Sequence, residues 1–220
     1  MSIYPSHKAV FVHIPKTGGS SIAALLKHDR LVDTKRNAVD PRGDGRETMV
    51  ELVEALGSEA DDYFKFAFVR NPWDRFVSAY HYVAQRRPEL TEVTSHKTFE
   101  DFVPAFAADP ERFLSIRYFR PQWSYLIDDQ GNSPADFVGR FERFDDDLQT
   151  ILARLGIQRS LMRHRKKSKR SDYREYYDVW RRDAIAEIYA RDIEIYDYKF
   201  DDGQKRGKSF FLKFLRKGAS

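Results

Sequence analysis

Val10-Phe11-Val12 is an apolar run of strand character that passes directly into His13-Ile14-Pro15-Lys16-Thr17-Gly18-Gly19-Ser20-Ser21-Ile22, a polar glycine turn at the head of a helix. A buried strand that turns this sharply into a helix restricts the fold, because the helix must pack back on the strand that delivered it. Ile22, Leu25 and Leu26 recur at i, i+3 and i+4 and give the helix the apolar face it needs. The turn itself has the layout of an anion site. Backbone N–H groups at a helix N-terminus lack intrahelical partners and carry partial positive charge, and adjacent glycines let a ligand approach the main chain. Lys16 and the hydroxyls of Thr17, Ser20 and Ser21 add side-chain donors. Taken alone, the same residues would also make a tight turn with a chance lysine.

A second strand–turn–helix accompanies it. Phe64-Lys65-Phe66-Ala67-Phe68-Val69 alternates large aromatics with other residues and predicts a strand ending at Arg70. Asn71-Pro72 then supplies an N-cap and a first-turn proline, and the helix that follows carries Phe76, Tyr80, Val83 and Ala84 on one stripe. Ser78 falls off that stripe. Further helices are predicted from about Glu47 to Leu56, stopped near Gly57, and from Phe99 to Ala107, ended by Asp109-Pro110. Another runs through Leu148, Ile151, Leu152 and Leu155, with Asp145 to Asp147 in its first turn and Gly156 as its stop. A last one bears Ile185, Ile188, Tyr189 and Ile193. Asp128-Asp129-Gln130-Gly131-Asn132 reads as a turn between two short strands, the second around Phe137 to Phe141. Strands interleaved with helices predict an α/β layered fold with a mainly parallel sheet.

At 220 residues and 41% hydrophobic content the chain can bury one substantial core. It reads as a single domain over 1–203 followed by a basic amphipathic tail, 204–220. In the tail Phe211, Phe214 and Leu215 share one helical face and Lys213, Arg216 and Lys217 the other, a layout for peripheral contact with an anionic membrane or for a plain docking end. No stretch is long and apolar enough to span a bilayer, cysteine is absent, and Met1 to Lys8 lacks the charged-then-apolar order of a leader, so the cytoplasm is the expected compartment. Asp29 to Arg46, broken by Pro41, Gly43 and Gly45, reads as a long surface connection. The net charge of +4 is unevenly placed: Arg163, Arg165, Lys166, Lys167, Lys169 and Arg170 crowd one polar stretch, either a solvated loop or an attractor of phosphate and sulfate groups. Metal-ligand spacing is absent, and no nucleic-acid partner is expected. The nucleotide motifs Gly-x-Gly-x-x-Gly and Gly-x-x-x-x-Gly-Lys-Ser/Thr do not occur; here the lysine precedes the glycines, which speaks against a nucleoside triphosphate.

Pro15-Lys16-Thr17-Gly18-Gly19-Ser20-Ser21 resembles the 5′-phosphosulfate loop of sulfotransferases, and Val69-Arg70-Asn71-Pro72-Trp73-Asp74-Arg75-Phe76-Val77-Ser78-Ala79-Tyr80 resembles their 3′-phosphate element. The pair is similar above all to the carbohydrate-type group, which includes the heparan 2-O-sulfotransferases and many soluble bacterial members. Gln122-Trp123-Ser124-Tyr125-Leu126, Asp136 to Glu142 and the stretch from Asp192 to Phe200 match more loosely. The resemblance implies a three-layer, P-loop-like α/β sandwich with a mainly parallel central sheet. It implies transfer of a sulfuryl group from 3′-phosphoadenosine 5′-phosphosulfate (PAPS) to a hydroxyl or amine of an acceptor, a carbohydrate in this group. Lys16, Thr17, Gly18, Gly19, Ser20 and Ser21 would bind the cofactor's 5′ side, Arg70 and Ser78 its 3′-phosphate, and Lys16 would also stabilise the departing phosphate. A loop such as that around Lys167 and Ser168 would close over the cofactor. The transferred group is less charged than a phosphoryl, so a bridging metal is not demanded.

Many relatives place a His just before a Thr-Ala-x-Glu-Ile-like helix start between the two motifs. The matching stretch here is Arg46-Glu47-Thr48-Met49-Val50-Glu51-Leu52, with Arg46 in the His position. An arginine stays protonated and cannot act as a base. Either the role falls to Glu47, His13 or His81 or the acceptor differs, and Glu47 also reads as an ordinary first-turn acid. Two other classes stay open: a nucleotide-dependent phosphotransferase using the same loop, and a non-enzymatic module that holds polyanions or a membrane surface through the basic segments.

Overall fold

The computed structural model describes residues 3–28, 47–158 and 171–201. The expectations for Asp29 to Arg46, for the basic stretch with Lys167 and Ser168, and for the tail 204–220 lie outside the described residues. The fold is mixed α/β. Four strands, β1 (Ile3–Tyr4), β2 (Ala9–Val12), β3 (Phe64–Val69) and β4 (Phe137–Arg140), stand in the order β1-β2-β3-β4. β1 pairs antiparallel with β2; β2 with β3 and β3 with β4 pair parallel, with Phe11 beside Phe66 and Val69 beside Arg140. Nine α-helices are present among the described residues: α1 (Gly19–His28), α2 (Met49–Leu56), α3 (Pro72–Arg86), α4 (Thr91–Thr94), α5 (Phe99–Ala108), α6 (Pro110–Leu114), α7 (Phe144–Arg154), α8 (Val179–Ile188) and α9 (Ala190–Ile195). None of them is long and apolar enough to cross a membrane.

Why the central strands are apolar on both sides follows from what covers them. Val10, Val12, Ala67, Val69 and Val138 pack in one cluster with Met49 and Leu52 of α2. Ala9, Phe11, Phe66, Phe68 and Phe137 point the other way, onto Ile22 and Leu26 of α1 and Phe144, Leu148, Ile151 and Leu152 of α7. A third cluster lies among the helices, where Phe76 of α3 meets the rings of Phe99, Phe102, Phe106 and Phe119 at centroid distances of 4.9 to 5.7 Å. Helix α3 starts where the sequence placed it, with the Asn71 side chain accepting from the N–H groups of Trp73 and Asp74 and Pro72 in the first turn.

Four local expectations change. Helix α2 begins after Glu47, because Thr48 and Glu51 form a reciprocal capping box that fixes Thr48 as N-cap. Ala84 is exposed, and the buried face of α3 is formed by Phe76, Val77, Ala79, Tyr80 and Val83. The segment ahead of the Asp128 to Asn132 turn is not a strand: Trp123–Tyr125 is a 3-10 turn, whose entering N–H groups at Gln122 and Trp123 donate to the Asp192 carboxylate rather than to a neighbouring strand. The last predicted helix is two, α8 and α9, broken at Tyr189, whose hydroxyl is anchored on the Phe119 carbonyl.

Candidate functional site

One cleft of about 850 Å³ brings the two motifs together. From the glycine turn it is lined by Lys16, Gly18, Gly19, Ser20 and Ser21, and from the end of β3 and the first half of α3 by Arg70, Asp74 and Ser78. Thr17 does not line it: the residue is buried and its hydroxyl donates to the Ile14 carbonyl at 2.9 Å, bracing the turn from inside. Lys16 and Gly18 are both left-handed, with φ of 72° and 90°, and Ser21 N–H donates to the Gly18 carbonyl to close the turn onto α1. Gly19 is required by proximity: a Cβ there would lie 2.1 Å from the His13 ring. The backbone is therefore bare where Ser20 and Ser21, both exposed, present their hydroxyls.

Arg70 is 7% exposed, not a surface charge. Its Nε and Nη2 both reach Asp74 Oδ2, at 2.8 and 2.7 Å, Nη1 donates to the Lys16 carbonyl at 3.0 Å, and its carbon Cζ lies 4.1 Å from the Phe141 ring centroid. Beyond the end of β3 the ladder is continued by a side chain: Arg70 N–H donates to Gln122 Oε1 at 2.8 Å, and Gln122 Nε2 donates back to the Arg70 carbonyl at 2.9 Å. Gln122 is held by the fully buried Asp192. Burial pushes the Asp192 carboxyl up, while the N–H donors of Gln122 and Trp123 and the charge of Arg75 hold it down. Glu142, also in the cleft wall, accepts from Asn71 N–H at 2.7 Å and from the Tyr198 hydroxyl at 3.1 Å; burial raises its carboxyl. Arg70 thus ties the second element to the glycine turn, while Gln122, Asp192 and Glu142 fix its start from behind.

The opposite wall was not legible as a motif. The Lys16 ammonium lies 4.1 Å from the Tyr82 ring centroid, Tyr82 packs on Tyr118 at 5.2 Å, and Arg87 Nε donates to the Tyr118 hydroxyl at 2.9 Å. Arg117 adds a second guanidinium 5.1 Å from the same ring. Asp74, Ser78 and Tyr82 follow one another at i, i+4, i+8 and all line the cleft, a stripe that the sequence did contain.

Of the three candidate bases, His13 lines the cleft. Burial, then the charges of Arg117 and Lys16, lower its pKa to about 4, so its imidazole is neutral at neutral pH. Glu47 is 4% exposed, its Oε1 has no hydrogen-bond partner, and it is not among the residues lining the cleft. His81 is not among them either; its ring packs against Tyr80 and Tyr176. Ser171, Asp172 and Tyr173, the first described residues after the basic stretch, sit at the cleft's edge.

A protein of Archaeoglobus fulgidus described as uncharacterized is 26% identical over 102 residues, which span 46% of this chain and 74% of that protein. No solved structure matches the chain. The model of the sulfotransferase family matches residues 1–199, a span that contains the glycine turn, the Arg70 to Ser78 element and the remaining walls of the cleft, and the chain belongs to that family.

Proposed function

We propose that this protein moves a sulfuryl group from PAPS to a hydroxyl or amine of a carbohydrate acceptor that itself carries an anionic group. The observation that carries the reading is the convergence of the glycine turn and the Arg70 to Ser78 element on one cleft. PAPS, when bound, supplies the activated sulfuryl group. The turn's main chain and the hydroxyls of Ser20 and Ser21 bind a 5′-phosphate, and Arg70 and Ser78 bind a 3′-phosphate. Thr17, Gly18 and Gly19 shape the turn. Lys16 stabilises negative charge growing on the departing phosphate oxygens. His13, neutral and in the cleft, is better situated than Glu47 or His81 to take the acceptor's proton. The helix-covered, mainly parallel sheet supports the P-loop-like three-layer reading of the fold.

The acceptor's charge is inferred from the far end of the cleft. From Ser78 to Arg87 the axis of α3 advances about 13 Å at 1.5 Å per residue, which leaves Arg87 beyond the span of the two phosphate elements. The carboxylates lining the cleft are engaged elsewhere: Asp74 with Arg70, Glu142 with Asn71 and Tyr198, Asp172 with Arg174. Arg87, whose Nη1 also meets Glu89 at 3.5 Å, and Arg117 bring positive charge beside the faces of Tyr82 and Tyr118, a pairing of charge and flat apolar surface suited to an acidic sugar.

Calorimetric titration with adenosine 3′,5′-bisphosphate, AMP and ATP tests the donor. The bisphosphate should bind at least about tenfold more tightly than AMP, the margin of one charge-assisted contact. Equal binding of bisphosphate and AMP removes the 3′-phosphate site, and preference for ATP turns the reading to phosphoryl transfer.

A further inference from the structure

Arg75 lies one turn into α3, is 2% exposed and does not line the cleft. Its guanidinium donates to main-chain carbonyls: Nε to Pro15 at 3.0 Å, and Nη2 to Arg120 at 2.9 Å and to Tyr118 at 3.3 Å. A permanently charged group is costly to bury, and Asp192 is the buried carboxylate whose titration feels it. Pro15 belongs to the glycine turn, Tyr118 to the aromatic wall and Arg75 to the helix that carries Ser78, so one side chain grips three walls of the site.

Pro15 is the middle of three. The Ile14 carbonyl accepts from the Thr17 hydroxyl, the Pro15 carbonyl from Arg75 and the Lys16 carbonyl from Arg70. In a planar trans peptide the N–H points opposite to the carbonyl. Holding the Pro15 carbonyl toward the core therefore turns Lys16 N–H away from the core, and holding the Lys16 carbonyl on Arg70 turns Thr17 N–H away from that guanidinium. The intervening Lys16 takes the left-handed conformation, unusual for a residue with a Cβ, that such an alternation requires. Successive N–H groups around a left-handed residue form the concave anion-binding arrangement known from phosphate loops.

We propose that Arg75 is a positioning residue for the 5′-phosphate loop: it orients the loop's N–H groups by pinning the Pro15 carbonyl, and it sets the distance between that loop and the Tyr118 wall. This rests on the reading that the loop holds the nucleotide's 5′-phosphate. The role separates from general support of the fold because it concerns one end of the nucleotide. Arg75→Lys keeps the charge opposite Asp192 but cannot reproduce the fork, so it should weaken adenosine 3′,5′-bisphosphate about tenfold or more by calorimetry and change adenosine 3′-phosphate affinity less than about twofold. Equal losses for both ligands, or none for either, would overturn the assignment while leaving nucleotide binding by the wild type intact. A wild type that binds neither ligand would remove the nucleotide reading and this inference with it. Should Arg75→Lys fail to fold, the wild type still decides: the Arg75 Nε–H resonance in 15N spectra should shift with the bisphosphate and stay in place with adenosine 3′-phosphate, and a resonance indifferent to both sinks the proposal.

Discussion

Lys16 combines a left-handed backbone with an ammonium resting over the Tyr82 ring. Its charge matters most where charge develops, so Lys16→Ala should lower kcat by about a hundredfold or more while bisphosphate affinity falls less than about tenfold. Steady-state kinetics with calorimetry checks this, and near-normal turnover excludes Lys16 from the chemistry. His13 makes a separate statement about pH. Its folded pKa of about 4 lies below the ordinary 6.5, so the unfolded chain takes up the proton first as pH falls. Stability from this group is present above pH 6.5, declines between 6.5 and about 4, and is gone below. Denaturant melts at pH 7 and pH 4.5 should show a smaller pH difference for His13→Gln than for the wild type. Arg70 and Ser78 entered through the resemblance of Val69 to Tyr80 to a 3′-phosphate element, whereas Tyr82, four residues beyond Ser78 on the same helical stripe, was not named as a site residue. Gln122 and Asp192 were not readable as site residues, because each acts through bonds to main chain 52 or 70 positions away and leaves no period in the sequence.

At the level of elements, the strand–turn–helix is decided by closeness as much as by charge. A methyl at Gly19 would overlap the His13 ring, and one at Gly18 would meet both the Phe144 ring at 2.7 Å and a left-handed φ. Gly19→Ala should therefore push the turn off β2 and reduce bisphosphate affinity by at least about tenfold, a loss of the same order as one charged hydrogen bond. Unchanged affinity in a folded Gly19→Ala protein would mean that the turn is not the anion site. Helix α3 was legible from Asn71-Pro72 and its apolar stripe, α5 from its stop at Asp109-Pro110 and α7 from its stripe and Asp145 to Asp147, while the Thr98 cap that opens α5 shows in the structure. The break between α8 and α9 was not, since nothing in Ile188-Tyr189-Ala190 punctuates a helix; the Tyr189 hydroxyl bond to Phe119 is tertiary. The 3-10 turn at Trp123–Tyr125 escaped for a similar reason, its N–H groups being answered by Asp192 from the far end of the chain.

Among the described residues the sheet's two apolar faces and the aromatic helical cluster are separate cores, and the cleft is lined by Tyr82, Tyr118 and Tyr173 of the aromatic cluster and by Phe141 of one sheet-face cluster. A ligand present at a hundred times its Kd stabilises the folded state by about 2.7 kcal/mol. For a domain of this size each kcal/mol raises Tm by about 2–4 °C, so saturating adenosine 3′,5′-bisphosphate should raise Tm by about 5–10 °C, measured by scanning calorimetry. No shift would contradict binding at this cleft. The glycine turn hangs from the sheet, whereas Trp73, Phe76, Tyr80 and Val83 root α3 in the aromatic cluster. A nucleotide touching both would merge two cooperative units into one. Amides of α5 and α8, which lie in the aromatic cluster and do not line the cleft, should then exchange with deuterium more slowly in the bisphosphate complex, so the molecule would report occupancy of its site from residues that the ligand never meets.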